Sequence, residues 1–125
     1  MNISEDLKYT KEHEWLRIEG DYAFIGITDF AEKELGDIVF VEVDSEGEEL
    51  EKDDVFGTIE AVKTVSDLFM PVKAEVKEFN SNLEDSPELI NTHPYTDGWI
   101  IKIHISEIND INSLMSSEEY KNLIS

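Results

Sequence analysis

The sequence predicts a mostly β protein that forms a single domain over residues 1–125, with short helices and a helical segment at the C-terminus. The chain has 125 residues, of which 40% are hydrophobic, and this suits one core while leaving little room for a second. Short alternating apolar runs dominate, and a period of two is typical of half-buried strands. No linker rich in Pro, Gly or Ser divides the chain.

Seven strands are predicted where β-branched and aromatic residues alternate with polar ones or form short continuous runs. The first two are separated by Gly20-Asp21, and this Gly-containing turn predicts a β-hairpin. The predicted strands cover residues 15–18, 22–27, 38–41, 55–59, 65–70, 74–79 and 99–105.

Two short helices are predicted within the chain from residues that favour helix ends. Thr28 or Asp29 can cap a helix over residues 30–35, and Gly36 ends it. Pro87 stands at a first helical position, where the N–H that it lacks would have no partner within the helix. This position predicts a second short helix.

The C-terminal part is predicted to be helical in two steps. After Ser106, apolar residues recur at helical spacing: Ile108, Ile111, Leu114 and Met115. The capping box formed by Ser116 and Glu119 then begins a final helix, whose apolar residues are Tyr120, Leu123 and Ile124.

The charge balance excludes several classes of partner. Thirty acidic residues against ten basic ones give a formal net charge of −20, which would repel nucleic-acid phosphates and anionic membrane surfaces. The absence of cysteine excludes disulfides, thiolate metal sites and a cysteine nucleophile. It is consistent with a protein of a reducing compartment. Residues 1–15 have neither the apolar core of a signal peptide nor the character of a transit peptide, so a cytoplasmic location is expected.

The sequence carries no signature of an enzyme or of a metal site. His13 is followed by Glu14, but the zinc-binding HExxH pattern is absent, and the three histidines are scattered. Neither GxSxG nor a glycine-rich phosphate loop occurs. The stretch 42–54 holds eight acidic residues, yet it lacks the calcium-loop pattern and is predicted to be a solvated loop. No catalytic residue and no metal ligand is therefore predicted.

Lys63 stands between two strand-like segments, at the tip of a predicted turn. The turn residues 61–64 include neither Gly nor Pro, and the flanking β-branched residues favour extended backbone. A lysine in this position would project into solvent from a rigid base. The pattern alone also fits an ordinary surface lysine.

Seven segments, in order, resemble the H-protein family of the glycine cleavage system, which are small lipoyl carriers. They cover nearly the whole chain, so the resemblance is far more specific than a single motif. The segments are KYTKEHEW (8–15), GITDFA (26–31), LGDIVFVE (35–42), EAVKTVSD (60–67), LEDSPELIN (83–91), PYTDGWIIKI (94–103) and EEYKNLI (118–124).

The resemblance implies a lipoyl/biotinyl-carrier-like fold. Two antiparallel sheets would pack as a barrel-sandwich, with short helices and a C-terminal helical segment around it. The lipoyl-binding core would span about residues 22–104, and the modified lysine would lie on a hairpin turn. The strands and helices expected from the periodicity agree with this arrangement.

The resemblance also implies a function without catalysis by the chain itself. Lys63 would carry one covalently attached lipoate, to which the P protein (glycine decarboxylase) transfers the aminomethyl group of glycine. The T protein (aminomethyltransferase) would unload this group, and the L protein (dihydrolipoamide dehydrogenase) would reoxidise the dithiol. A lipoylating enzyme would attach the cofactor, whereas nucleic acid and membranes would not be partners.

Further site residues are carried over from the matching positions. Glu14 and Asp67 would lie beside the cleft that receives the loaded arm, and Glu60 is a candidate contact for the lipoylating enzyme. Phe30 stands where some members of the family have His, and Glu12 where some have Ser. Both of these replacements would border the same cleft.

Other readings of the chain remain open from the sequence. The first is an H-like relay or regulatory paralogue that passes lipoate to 2-oxo acid dehydrogenases. The second is a lipoyl domain of such a dehydrogenase, although no flexible linker is present. A biotin carrier would have Met on both sides of the lysine, where this chain has Val62 and Thr64. An acidic metal-binding protein is a reading from a different class.

Overall fold

Nine strands form two antiparallel sheets in the computed structural model, which describes residues 5–125. The larger sheet has the strand order β1-β2-β3-β9-β8-β5, and the smaller one has the order β4-β6-β7. The strands are β1 (Lys8–Tyr9), β2 (Glu14–Glu19), β3 (Tyr22–Ile27), β4 (Ile38–Glu42), β5 (Glu49–Leu50), β6 (Val55–Ala61), β7 (Val65–Phe69), β8 (Ala74–Phe79) and β9 (Ile101–Ile105). The predicted fold class, mostly β with two antiparallel sheets, is thereby confirmed.

Short helices lie in the connections between strands and in the segment after β9. They are α1 (Asp29–Leu35), α2 (Asn82–Asp85), α3 (Leu89–Thr92) and α4 (Ser117–Ile124), with a 3-10 helix over Ile108–Ser113. No helix within residues 5–125 is long and apolar enough to cross a membrane.

The main core lies between the two sheets, because alternate strand residues point inward. On β9, for example, Ile101, Ile103 and Ile105 are all buried, whereas the residues between them are half-buried. A second cluster closes one side of the larger sheet. It joins the N-terminal segment to α4 and consists of Leu7, Tyr9, Trp15 and Tyr120.

The predicted caps at the two longer helices are confirmed. Thr28, rather than Asp29, is the N-cap of α1, and its hydroxyl accepts a hydrogen bond from the N–H of Ala31. Gly36 ends this helix with φ +85°, a conformation that suits glycine. The capping box begins α4 as expected, because Ser116 and Glu119 each accept from the other's backbone N–H.

The prediction of regular helix through Met115 is wrong. The segment forms a 3-10 helix that ends at Ser113, and Leu114 already has extended backbone. Met115 then pairs with Tyr9 through two backbone hydrogen bonds, each 2.9 Å long. Pairing with β1 withdraws these residues from the helix, and the apolar spacing in the sequence cannot reveal this competition.

Other differences concern the boundaries of short elements. The second predicted helix begins at Leu89, after a turn that contains Pro87. The last strand begins at Ile101 rather than Trp99, because the N–H and C=O of Ile100 bond to Ile25 and Asn80 outside the regular ladder. The two-residue strands β1 and β5 are too short to show an alternating pattern.

Candidate functional site

Lys63 lies at the tip of the β6–β7 hairpin, and its side chain is exposed. Glu60 and Val65 pair across the two strands, and the N–H of Ala61 donates to the carbonyl of Thr64 at 2.8 Å. The N–H of Val62 also donates to the carbonyl of Asp37, at 3.0 Å, which ties the tip to the segment before β4. The lysine is therefore presented on a loop whose backbone is held on both sides.

The end of the Lys63 side chain lies beside the C-terminal end of α1. A Cβ atom added to Gly36 would lie 3.4 Å from Cε of Lys63 and 3.8 Å from its Nζ. Gly36 is held in place because its N–H donates to Glu32 and its carbonyl accepts from the side chain of Asn91. A side chain at this position would be strained by the positive φ and would also restrict the lysine.

Two elements lead away from Lys63 toward the same end of the molecule. β7 starts next to the hairpin tip, and its last residue, Phe69, bonds to Glu14. α1 ends beside Lys63, and near its start the ring of Phe30 packs 4.8 Å from the ring of His13. We call the area between them the α1–β7 surface, bounded by Lys63 and Gly36 at one end and by His13 and Glu14 at the other.

Glu14 is a buried carboxyl at the far end of this surface, only 2% exposed. Its Oε2 accepts a hydrogen bond from the N–H of Phe69 at 2.9 Å, and its Oε1 accepts one from the hydroxyl of Thr10 at 3.3 Å. It lines a cavity of about 400 Å³, whose apolar walls include Met70 and Leu114. The carboxyl group is thus held in a fixed orientation beside open space.

Burial raises the pKa of Glu14 to about 8, although the hydrogen bonds from Phe69 and Thr10 act in the opposite direction. The neighbouring carboxylates of Glu12 and Asp53 raise this pKa further. At neutral pH the group therefore carries a proton much of the time, and it can ionise when a cation approaches.

The other two predicted acidic residues are exposed. Asp67 lies on β7 opposite Thr58, two residues before Phe69, whose N–H bonds to Glu14. Glu60 lies on β6, in register with Phe40 on one side and Val65 on the other. Asp67 and Glu60 lie on the same outer face of the smaller sheet, Asp67 on its edge strand β7 and Glu60 on its central strand β6.

Sequence reasoning missed an exposed apolar group around Lys63, which we call the hairpin patch. Val62 and Val65 are 72% and 63% exposed, and Val39 and Phe40 on β4 are 47% and 50% exposed. Val62 directly precedes the lysine and Val65 follows it by two residues, so the sequence around the turn could have indicated both. The two β4 residues join the patch only through the pairing of β4 with β6.

No three acidic or histidine side chains within residues 5–125 are grouped in a way that could hold a metal ion.

Comparison with known proteins decides the family. The sequence model for the glycine cleavage H-protein family matches residues 7–125. The chain belongs to the glycine cleavage H-protein family. The glycine cleavage system H protein of Bacteroides fragilis is 54% identical over 99% of this chain and 98% of its own length. The protein of the same name from Halalkalibacterium halodurans is 51% identical, over 99% and 97%.

A solved structure agrees with this family assignment. The crystal structure of a glycine cleavage system H protein from Mycobacterium marinum matches with a TM-score of 0.87 and 35% identity, covering 96% of this chain and 97% of that one. The resemblance predicted from the seven segments is confirmed. With it, the role of a non-catalytic lipoyl carrier is confirmed, and the reading as a relay paralogue is not favoured.

The raised pKa of Glu14 predicts a specific pH dependence of stability. The folded state favours the protonated carboxyl, so the contribution of Glu14 to stability is complete below its ordinary pKa of 4.5 and is lost as pH rises toward about 8. Glu14→Gln removes this titration. Relative to the parent, the variant should therefore gain stability between pH 5 and pH 8, by up to about 1.4 kcal/mol per pH unit.

Urea unfolding at several pH values measures this difference. Glu42→Gln serves as the control, because Glu42 is an exposed residue of β4 and is not among the carboxylates that raise the pKa of Glu14, so the pH-dependent gain should be specific to Glu14→Gln. A constant difference between Glu14→Gln and the parent from pH 5 to pH 8 would contradict the prediction.

Proposed function

We propose that this protein carries one lipoate in amide linkage to Nζ of Lys63, within a lipoyl-binding core of about residues 22–104 and a single domain over 1–125. The exposed lysine at the tip of a braced hairpin, in a chain of the H-protein family, is the observation that supports this best. A cytoplasmic location is part of the same proposal.

The residues around Lys63 fit such a group. Attachment forms an amide bond between the deprotonated Nζ and the carboxyl carbon of activated lipoate, while the bond from that carbon to the activating group breaks and this group leaves with a proton from Nζ. The formal charge moves from −20 to −21 because one lysine is neutralised. When bound, the lipoyl group supplies a disulfide that is reduced as it takes up the aminomethyl group of glycine. Gly36 leaves room for the root of the arm, and the α1–β7 surface leads from there to Glu14.

We place the amine of the cargo between Glu14 and Asp67. An approaching ammonium group favours the ionised form of a carboxyl, so the buried Glu14 would release its proton and accept a charge-assisted hydrogen bond. Asp67 would add a second carboxylate at the exposed side. Holding the amine in this way slows the attack of water, which would otherwise release the cargo as formaldehyde and ammonia.

The hairpin patch and the acidic residues around it indicate which chemical groups a partner protein should present to this face. Val62 and Val65 would be covered when another protein approaches Lys63, and Glu60 in the same face adds a carboxylate. A second copy of this chain would bring like charges together, since each carries −20. The partners should instead present an apolar centre edged with Lys and Arg. We propose the P, T and L proteins and a lipoylating enzyme as these partners, with Glu60 as a contact for the last.

Lys63→Arg tests the site of attachment. The variant keeps the positive charge but cannot form the amide, so the mass of the purified protein from lipoylating cells should lack the lipoyl increment entirely. Lys73→Arg is the matched control, because Lys73 immediately precedes β8 of the larger sheet and only pairs weakly with Glu51 at the surface. Peptide mass spectrometry that finds lipoate on Lys73, or on any lysine of the Lys63→Arg variant, would overturn the assignment.

Replacing Val62 and Val65 together by Ser tests the hairpin patch. The fully lipoylated variant should be a poorer substrate for dihydrolipoamide dehydrogenase, with kcat/KM reduced by roughly tenfold because the apolar contact is lost. Val55→Ser is the control, since Val55 is also exposed but lies at the opposite end of β6. Equal values of kcat/KM for the Val62/Val65 variant and the Val55 variant would show that the patch is not a docking surface.

Glu14→Gln combined with Asp67→Asn tests the storage of the cargo. Lipoylation at Lys63 should be unchanged, whereas the isolated loaded protein should release formaldehyde roughly tenfold faster or more, because charge-assisted hydrogen bonds are lost. A variant with Glu42→Gln and Asp44→Asn removes two exposed carboxylates elsewhere and should release it at the parent rate. If the Glu14/Asp67 variant matches the parent, these carboxylates do not hold the amine.

A further inference from the structure

His13, the residue before Glu14, has an unusual backbone conformation. Its φ is +67°, which is uncommon for a residue other than glycine and has to be maintained by surrounding contacts. Its N–H donates to the carbonyl of Thr10 at 3.1 Å, and its carbonyl accepts from the N–H of Thr28 at 3.0 Å. This backbone conformation sets the direction in which the chain enters β2, and therefore the position of Glu14, the first residue of that strand.

The phenol of Tyr120, in the C-terminal helix α4, contacts the side chain of His13. The hydroxyl of Tyr120 lies 2.9 Å from Nδ1 of His13 and 2.7 Å from Oγ1 of Thr28. The ring is fully buried and stacks on Tyr9, with centroids 4.7 Å apart and planes inclined by 6°. Tyr120 is therefore held by its ring while its hydroxyl bridges two other segments of the chain.

The hydrogen bonds of this bridge have a preferred direction. The N–H of Ala31 donates to Oγ1 of Thr28, which leaves the Thr28 hydroxyl to donate to Tyr120 and the Tyr120 hydroxyl to donate to Nδ1 of His13. In the reverse order the buried Thr28 hydroxyl would find no acceptor among the described residues. Burial lowers the pKa of His13, against the opposing effect of Glu12 and Glu34, which favours the neutral ring whose Nδ1 can accept.

The bridge connects the two walls at the far end of the α1–β7 surface. One wall continues from His13 into Glu14, and the other is α1, whose N-cap is Thr28 and whose Phe30 packs on the His13 ring. We propose that the Tyr120 hydroxyl is a positioning group for the loaded arm, which fixes the distance between these walls and keeps Glu14 aligned with the cargo. This inference rests on the proposed arm site.

Tyr120→Phe tests the proposal, because it removes the hydroxyl and keeps the stacked ring. Tyr95→Phe is the matched control: its hydroxyl also binds the start of α1, accepting from the N–H of Asp29 at 3.1 Å and donating to its carboxylate at 3.0 Å, but it does not bond to His13. The lipoylated proteins are reduced and loaded chemically, since a thiol, formaldehyde and ammonia condense to the aminomethyl thioether and water.

Release of formaldehyde, the reverse of this condensation, is then followed over time. We expect Tyr120→Phe to release it roughly two- to tenfold faster than the parent, as the loss of one hydrogen bond would produce, and Tyr95→Phe to stay within about twofold. The His13 ring nitrogens are observed by NMR in the same samples. The parent should show an unprotonated, hydrogen-bonded Nδ1 and a protonated Nε2, and the Nδ1 resonance should shift in Tyr120→Phe but not in Tyr95→Phe.

Three results would overturn the proposal. The first is a parent-like release rate in Tyr120→Phe despite a shifted Nδ1 resonance, and the second is equal acceleration in the Tyr95→Phe control. Both would leave the proposed arm site intact. The third is a parent protein that releases formaldehyde as fast as loaded free dihydrolipoamide, and this result would overturn the arm site together with the positioning role.

Discussion

The hydrogen bond from the N–H of Phe69 to Glu14 connects the two sheets at the end of the candidate site. Glu14 begins β2 of the larger sheet, and Phe69 ends β7, which is an edge strand of the smaller one. An edge N–H needs a partner, and the carboxyl supplies it at the cost of burying an ionisable group. The raised pKa of Glu14 is the result, and it favours a protonated carboxyl at this end of the molecule.

In the proposed role, Lys63 must be exposed for attachment while the cargo is protected, and the structure offers two separate places for these demands. Lys63 is exposed on a hairpin whose backbone is held by Thr64 and Asp37. Glu14 is buried beside Phe69, which follows Lys63 by six residues, roughly 20 Å for extended backbone. A long flexible arm can serve both ends, and the protein contributes the rigid surface between them.

Much of the fold could be predicted because its signals are local. The caps Thr28, Gly36 and Ser116 lie next to the helices they end or begin, and the alternating residues of β9 show their period within the strand. The prediction failed at Met115, whose backbone pairs with Tyr9 far away in the chain. A contact between distant segments leaves no periodic trace in either of them.

The sequence by itself determined the family, the fold class and the lysine at the hairpin tip, because ordered motifs and local periodicity carry that information. Only the tertiary structure decided how Glu14 behaves, since its burial and its bond to Phe69 depend on the packing of two sheets. It likewise brought Tyr120 to His13 across 107 residues of chain. The physical reason is that burial, and with it the ionisation of a carboxyl, is a property of the surroundings in space rather than of neighbours in sequence.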